Sequence, residues 1–216
     1  AGEVAKSKSS KVLRSRTTIQ VGAEIFGDSS LASEIESVDL MLQSLRLAKV
    51  KNITLSLGHA GFTASILKLF TNLPEEEFAQ IEMALSKKSK SDIERVVSDS
   101  NQYKNSLLSL CDLYGDLDVI NLAREEFSYL DKTKIYLDNL EKFTNYLKEK
   151  ENVSLHIDLC EVQGFKYHNG IVFSAYTDSV GYVLAKGGRY DGLRKSSDQD
   201  RPAVGFDLDL IAVSNL

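Results

Sequence analysis

Several residue types are scarce in this chain of 216 residues. It contains no Trp, two Pro, two Cys, two Met and three His. No run of 18 apolar residues occurs, so the sequence predicts no membrane-spanning helix. The first residues also lack the apolar core of a secretory signal. With 43% apolar and 26% charged residues, the composition predicts an ordinary soluble globular protein.

The few cysteines and histidines argue against a metal centre. Cys111 and Cys160 lie 49 positions apart in apolar segments, which indicates small buried side chains in a reducing compartment rather than a disulfide framework. His59, His156 and His168 have neither i,i+4 spacing nor a neighbouring cysteine. We therefore expect a cytoplasmic protein with no metal and no cofactor.

The charge is unevenly distributed along the chain. The net charge of −5 at pH 7 argues against broad binding of nucleic acid. Residues 1–16, however, are strongly basic, whereas residues 74–152 are acidic on balance. The basic loop 6–16 has two interpretations, a phosphate contact or a solvated surface loop, and the sequence does not choose between them.

The hydrophobic pattern changes twice along the chain. Residues Thr18 to Phe26 alternate between apolar and polar side chains, which predicts a half-buried strand. Apolar residues then recur every three or four positions from Leu31 to Leu45, which predicts a helix. The stretch 74–150 has a helical period throughout and predicts four or five helices. Short strands then return, including 171–176 and 181–185.

These patterns predict an α+β fold, in which an antiparallel sheet flanked by helices is interrupted by an all-helical insertion. The predicted boundaries are 1–73 for the first part of the sheet domain, 74–152 for the insertion and 153–216 for the second part. Two local signals concern the second part. Asn169-Gly170 predicts a hairpin turn, and Gly187-Gly188 predicts a break at the end of a strand.

Three residues of the first predicted strand suggest a ligand site. Gln20, Gly22 and Glu24 share one face, and the glycine leaves a bare floor between an amide and a carboxylate. Such a floor suits a small ligand with hydrogen-bond donors or a cation, such as an amino acid. The same residues also fit a solvent-exposed polar face, which is the more frequent arrangement.

Four sequence strings follow one another in a characteristic order: Thr18–Gly27, Gln163–Phe173, Gly187–Leu193 and Arg201–Leu210. Together they resemble the catalytic domain of histidyl-tRNA synthetase, a class II aminoacyl-tRNA synthetase. The first is similar to the end of its motif 2, the next two to its histidine-recognition signatures, and the last to motif 3. The resemblance covers nearly the whole chain and implies the class II fold, with a helical insertion where that family has one.

Three positions depart from the synthetase pattern where that family has a functional arginine. The resemblance places Lys6 at the motif 2 arginine, Gln163 at the arginine of the histidine-recognition segment, and Ala212 at the motif 3 arginine. A lysine supplies a point charge but not the planar fork of an arginine, and the other two residues are uncharged. The electrostatic stabilisation of adenylate formation is therefore expected to be lost, which predicts a protein that is not an enzyme.

A synthetase-like core without these arginines is similar to the regulatory-subunit family of ATP phosphoribosyltransferase. That resemblance implies a subunit without catalytic activity that assembles with a short-form catalytic subunit, as a hetero-octamer. The complex catalyses the first step of histidine biosynthesis, and histidine inhibits it by feedback. The resemblance also implies that the chain is a fragment, because members of the family begin well before motif 2.

The resemblance implies a histidine site of five residues. Gln20 and Glu24 are expected to contact the polar groups of L-histidine, and Tyr167, His168 and Tyr190 are expected to shape the pocket. No catalytic residue, metal ligand, membrane contact or nucleic-acid partner is expected. Two other functions remain open: a fragment of histidyl-tRNA synthetase, and a stand-alone module that senses histidine or uncharged tRNA.

Overall fold

The computed structural model describes residues 1–5, 16–160, 167–192 and 201–216. The chain divides into two compact units. The first unit comprises residues 1–56, 145–155 and 172–216, and the second comprises residues 57–144 and 156–171. The domain boundaries expected at residues 73 and 152 stay a prediction, because a compact unit and an inserted segment are different divisions of a chain.

Eight strands and eight α-helices lie in the described part of the chain. The strands are β1 (Gly2–Ala5), β2 (Thr17–Phe26), β3 (Ile53–His59), β4 (Tyr114–Gly115), β5 (Val153–Asp158), β6 (Ile171–Thr177), β7 (Val180–Arg189) and β8 (Ala203–Asp209). The helices are α1 (Leu31–Leu47), α2 (Ala60–Leu67), α3 (Glu75–Ser86), α4 (Lys90–Val96), α5 (Lys104–Leu110), α6 (Val119–Glu126), α7 (Asp131–Leu147) and α8 (Leu210–Ser214). Five helices, α3 to α7, fall where the helical period predicts four or five.

The strands form one sheet in the order β1-β2-β8-β7-β6-β3-β5-β4. Five pairings are antiparallel: β1 with β2, β2 with β8, β8 with β7, β7 with β6, and β5 with β4. The predicted α+β class is confirmed.

The hairpin expected at Asn169-Gly170 stays a prediction, because residues 161–166, from which its first strand would come, lie outside the described residues. Among the described strands, β5 and β6 are not neighbours, because β3 lies between them. The Gly170 carbonyl accepts a hydrogen bond from Ala60 N–H at 2.9 Å. A hairpin joins β6 to β7, with Asp178 and Ser179 as its turn.

The strand break predicted at Gly187-Gly188 is wrong, since β7 continues to Arg189. A Cβ atom at Gly187 would lie 2.3 Å from the Gly205 carbonyl oxygen and 2.7 Å from the Phe173 ring. The glycine is needed because the backbone of β8 and an aromatic ring approach β7 closely, which is a role glycine has inside strands.

In the first unit, α1 packs on β2, β7 and β8. The apolar stripe predicted for α1 includes Val38, Leu42 and Leu45, and these side chains are at most 1% exposed. The sheet face beneath is apolar because alternate residues share a face. Leu208 of β8, for example, stands opposite both Val21 and Ala185.

The second unit buries apolar side chains among its helices. The rings of Phe62 in α2 and Phe127 after α6 meet edge to face, with centroids 5.4 Å apart, a favourable geometry for aromatic pairs. Phe143 of α7 is fully buried. Among the described residues, no helix has the length and apolar character needed to cross a membrane.

Candidate functional site

Two of the predicted ligand contacts lie on one face of the sheet in the first unit. Gln20 stands opposite Asp209, and Glu24 stands opposite Gly205, in the antiparallel pairing of β2 with β8. Residues directly opposed in such a pair project from the same face. Gln20 is half-buried and Glu24 is exposed. The strand rise puts their Cα atoms about 13 Å apart, which leaves room for a small amino acid between the two side chains.

Tyr190 joins these residues on the same face. Its N–H donates to the Ala203 carbonyl at 2.9 Å, which extends the β7–β8 register by one residue beyond the Arg189–Val204 pair. Ala203 is in turn opposite Phe26 of β2. Alternation along β2 therefore puts Tyr190 on the face of Gln20 and Glu24, and Tyr190 is buried, with 5% exposure.

The same face carries polar residues that sequence reasoning missed. One row runs from Gly22 through Asp207 and Lys186 to Ser174, across β2, β8, β7 and β6. The next row begins with Glu24 and continues through two glycines on β8 and β7. Only the order of the strands in the sheet brings these residues together, and no local sequence motif indicates that they share a face. We name this surface the polar floor; its residues are Gln20, Gly22, Glu24, Ser174, Lys186, Gly188, Gly205 and Asp207.

Glycines on the polar floor are required by close strand packing. A Cβ atom at Gly22 would lie 2.1 Å from the Phe206 carbonyl oxygen, a separation that no side chain tolerates. A Cβ atom at Gly205 would lie 2.8 Å from Cγ of Glu24. The stem of Glu24 therefore lies over β8, and Gly205 makes that position available to its carboxylate.

Electrostatics on this face favour a cationic ligand. Glu24 and Asp207 supply carboxylates, and Lys186 is opposite Asp207 in the β7–β8 register. Next to the floor, Asp209 accepts a hydrogen bond from Ala212 N–H at 3.0 Å and so caps α8. A surface with more carboxylates than ammonium groups attracts an ammonium or imidazolium and repels phosphates.

The other two predicted residues belong to the second unit. The rings of Tyr167 and His168 are nearly perpendicular, at 87°, and their centroids are 4.8 Å apart. Tyr167 is 45% exposed and His168 is half-buried. A pocket that combines them with Gln20, Glu24 and Tyr190 stays a prediction.

Arg189, which adjoins Tyr190 in the sequence, points to the opposite face of the sheet. Its guanidinium donates to Glu34 Oε1 at 3.0 Å, to Ser33 Oγ at 2.9 Å and to Asp191 Oδ1 at 3.3 Å. Two more bonds reach backbone carbonyls at 3.1 and 3.0 Å, just before α1. With Arg189 and Glu34 each 6% exposed, this cluster anchors the start of α1 on the sheet.

The positions of the missing arginines are only partly described. Ala212, at the expected motif 3 position, is fully buried in α8. Its carbonyl oxygen accepts a hydrogen bond from the Tyr182 hydroxyl at 3.3 Å. Lys6 and Gln163 lie outside the described residues, as do residues 6–15 of the basic loop. Within the described ranges, no group of three or more His, Cys, Asp or Glu residues is arranged to hold a metal ion.

Solved structures share this fold, which is that of class II aminoacyl-tRNA synthetase-like proteins. One is an ATP phosphoribosyltransferase regulatory subunit/histidyl-tRNA synthetase from Bacillus halodurans C; it is 25% identical with a TM-score of 0.77, over 93% of this chain and 53% of that chain. Another is the ATP phosphoribosyl transferase (HisG:HisZ) complex from Thermotoga maritima, 20% identical with a TM-score of 0.67, over 90% and 66%.

The model of the Histidyl-tRNA synthetase family matches residues 1–213, and the chain belongs to this family. A similar curated protein is the ATP phosphoribosyltransferase regulatory subunit of Nitrosospira multiformis, 35% identical over 221 residues. The match covers 100% of this chain and 56% of that protein. The chain thus spans about half the length of the curated relatives it matches.

Proposed function

We propose that the chain is the synthetase-like core of a regulatory subunit of ATP phosphoribosyltransferase, and that its polar floor binds L-histidine. The observation that carries the proposal is the register that gathers Gln20, Glu24 and Tyr190 on one face of the first unit. The curated relatives named as regulatory subunits support the same conclusion.

The chemistry of the floor fits histidine. The Glu24 carboxylate is an acceptor for an ammonium or imidazolium, and charge-assisted hydrogen bonds of this kind are about twice as strong as neutral ones. Gln20 offers both donors and an acceptor, and Lys186 supplies a cation for an α-carboxylate. An amino acid carries both an ammonium group, which complements Glu24, and a carboxylate, which complements Lys186.

The subunit has no aminoacylation activity in this proposal. At the expected motif 3 position the buried Ala212 contributes no positive charge near a triphosphate. The carboxylates of Glu24 and Asp207 increase the repulsion of phosphates. Adenylate formation needs cationic stabilisation of developing charge, and Lys6 at the motif 2 position is a point charge without the bidentate geometry of an arginine.

Regulation in this proposal is a linkage between histidine and a partner. The Thermotoga maritima structure is a HisG:HisZ complex, and we propose a catalytic ATP phosphoribosyltransferase subunit as the partner of this chain, in a hetero-octamer. Histidine that binds one conformation of the complex more tightly shifts the population toward it. Typical couplings of about 1–3 kcal/mol correspond to about 5- to 150-fold changes in affinity.

Calorimetric titration of L-histidine into the purified chain tests the site. Saturable binding is expected, and Glu24→Ala should weaken it by about 10- to 150-fold, because a hydrogen bond to a charged group contributes about 1.5–3 kcal/mol. The matched control is Glu36→Ala, since Glu36 is an exposed carboxylate on α1. Equal histidine affinities of Glu24→Ala and Glu36→Ala would contradict a contact between Glu24 and the ligand.

A second candidate function is that of a histidyl-tRNA synthetase fragment, which the name of the matching family favours. ATP–pyrophosphate exchange with histidine separates the two functions. The regulatory proposal predicts no exchange and no ATP binding, whereas histidine-dependent exchange would identify a synthetase.

The partnership is tested with a short-form catalytic subunit. Adding the chain should raise the rate at which phosphoribosyl-ATP forms, and histidine should lower that rate in the mixture. If the chain did not change the rate of the catalytic subunit, the proposed partnership would be contradicted. The proposed histidine site would still be tested separately by the calorimetric titration.

A further inference from the structure

One end of the polar floor carries an arginine that the proposed histidine site does not use. Phe26 follows Glu24 by two residues on β2, so the two side chains project from the same face. The Cζ atom of Arg201 lies 5.8 Å from the centroid of the Phe26 ring, which is within the range of a cation–π contact. The guanidinium of Arg201 therefore lies beside the row of the floor that contains Glu24.

Backbone pairing places this arginine at the end of the sheet. Phe26 stands opposite Ala203, and Gly27 N–H donates to the Pro202 carbonyl at 2.7 Å, which continues the ladder up to Arg201. A Cβ atom built at Gly27 would lie 3.8 Å from Nε and 3.9 Å from Nη2 of Arg201. The guanidinium thus lies against the bare backbone of a glycine as well as against an aromatic ring.

The donors of Arg201 are available to a ligand. Its side chain is exposed, and within the described ranges its guanidinium contacts the Phe26 ring and has neither a hydrogen-bond acceptor nor a carboxylate partner. Arg189, on the other face, donates five hydrogen bonds. An arginine has five N–H donors in a planar fork that matches a carboxylate.

Lys186 also complements a carboxylate in charge, but its position is different. It stands directly opposite Asp207, so a carboxylate of the protein shares its charge, and an ammonium is a point charge rather than a fork. The Cα atoms of Glu24 and Phe26 are about 7 Å apart along the strand. A bound amino acid can span that distance with its ammonium toward Glu24 and its carboxylate toward Arg201.

We propose that Arg201 is a carboxylate subsite of the polar floor, which binds the α-carboxylate of the amino acid through two parallel hydrogen bonds, and that Phe26 positions its guanidinium. The inference rests on the proposed histidine site and adds to it a residue that selects ligands with a free carboxylate. Bidentate arginine–carboxylate pairs are both geometrically specific and stronger than neutral hydrogen bonds. Histamine has the imidazole and the ammonium of histidine but no carboxylate, so Arg201 should contribute nothing to its binding.

Paired calorimetric titrations of L-histidine and histamine into the purified chain test this assignment. In Arg201→Met the affinity for histidine should fall about tenfold or more, whereas the affinity for histamine should not fall. Arg201→Lys should bind histidine with an intermediate affinity, because the charge is kept and the fork is lost. Arg95→Met is the matched control, since the Arg95 side chain is 75% exposed and belongs to the second unit, and it should change neither affinity.

The outcomes separate this inference from the histidine site on which it rests. An unchanged histidine affinity in Arg201→Met, or equal losses for histidine and histamine, would overturn the subsite and leave the histidine site in place. If the unmodified chain bound no histidine, both would be contradicted. Phe26→Leu tests the positioning role: histidine affinity should fall by about two- to fivefold, as expected for loss of an exposed cation–π contact, and histamine affinity should fall less.

Discussion

The two faces of the sheet in the first unit handle charge in opposite ways. On the polar floor, Glu24 is exposed, and Asp207 is half-buried directly opposite Lys186. On the other face, Arg189 of β7 and Glu34 of α1 are buried between the sheet and the helix and are joined by a 3.0 Å ion pair. Neighbours in the chain, Arg189 and Tyr190, serve different faces. Two adjacent residues of the segment Gly187–Leu193 thus have different roles: Arg189 holds α1 on the sheet, and Tyr190 lines the candidate site.

The difference teaches where a substitution should affect stability and where it should affect binding. A buried charge is tolerated because its partners replace the lost water, so removing one partner is costly. An exposed carboxylate keeps its hydration and contributes little to stability. The two faces should therefore respond to mutation in separate assays.

Replacing Arg189 by methionine should have the largest effect. It leaves the Glu34 carboxylate buried without its ion pair, and breaking a buried pair in this way costs about 3–5 kcal/mol of unfolding free energy. Urea unfolding followed by circular dichroism measures the loss. The double variant Arg189→Met/Glu34→Gln should recover part of it, because no uncompensated charge remains.

Arg124→Met is the control for that experiment. Arg124 pairs with Asp138 and, at 3.1 Å, with Glu141, and its side chain is 30% exposed. Such partly solvated pairs contribute about 0–1 kcal/mol. If Arg189→Met cost no more than Arg124→Met, the buried cluster would not anchor α1.

The second unit extends the contrast to a buried group that is kept neutral. Burial lowers the pKa of His59 from 6.5 to about 4. The Nδ1 atom of His59 accepts a hydrogen bond from Gly61 N–H at 3.1 Å. The centroids of the His59 and Tyr136 rings are 4.7 Å apart. Between pH 4 and 6.5 the unfolded chain binds more protons than the folded chain. The stabilisation is therefore complete above pH 6.5 and is lost as the pH falls toward 4, in total about 3 kcal/mol.

Unfolding free energies measured from pH 7 to pH 4 test this dependence. His59→Gln should lower the slope over that interval, because the titrating group is gone. His156→Gln serves as the control for the loss of a histidine side chain, since His156 is half-buried on β5. An unchanged slope in His59→Gln would contradict the assignment.

Gly22→Ala should have a smaller effect. The added methyl group would overlap the Phe206 carbonyl oxygen, and overpacking of this kind costs about 1–3 kcal/mol. Gly181→Ala is the matched control within the sheet, because a Cβ atom there meets nothing within 4 Å among the described residues. Equal unfolding free energies for the two variants would mean that β2 and β8 separate easily at the floor.

Glu24→Ala should have the smallest effect on stability. Its side chain is exposed, and surface substitutions usually change the unfolding free energy by no more than about 0.5 kcal/mol. Loss of histidine affinity without loss of stability would sharpen the contrast between the faces. A destabilisation as large as that of Arg189→Met would break it.

Local patterns predicted individual elements well. The alternation of β2 indicates a strand over 18–26, and the strand is Thr17–Phe26, because a period of two reports directly on a half-buried strand. The polar face of Gln20, Gly22 and Glu24 is likewise present. By contrast, the strand break predicted from Gly187-Gly188 is wrong, since local turn propensities are weak compared with the pairing of whole strands.

The amino-acid sequence by itself determined which segments are strands and helices and to which family the chain belongs. Both are indicated by hydrophobic periods and motifs within short segments of the chain. Only the tertiary structure decided which residues meet. Arg189 reaches Glu34 across 155 positions, and the polar floor unites residues of four strands. Such contacts depend on strand order and register, which arise from burial and hydrogen bonding summed over the sheet and are not encoded in any single segment.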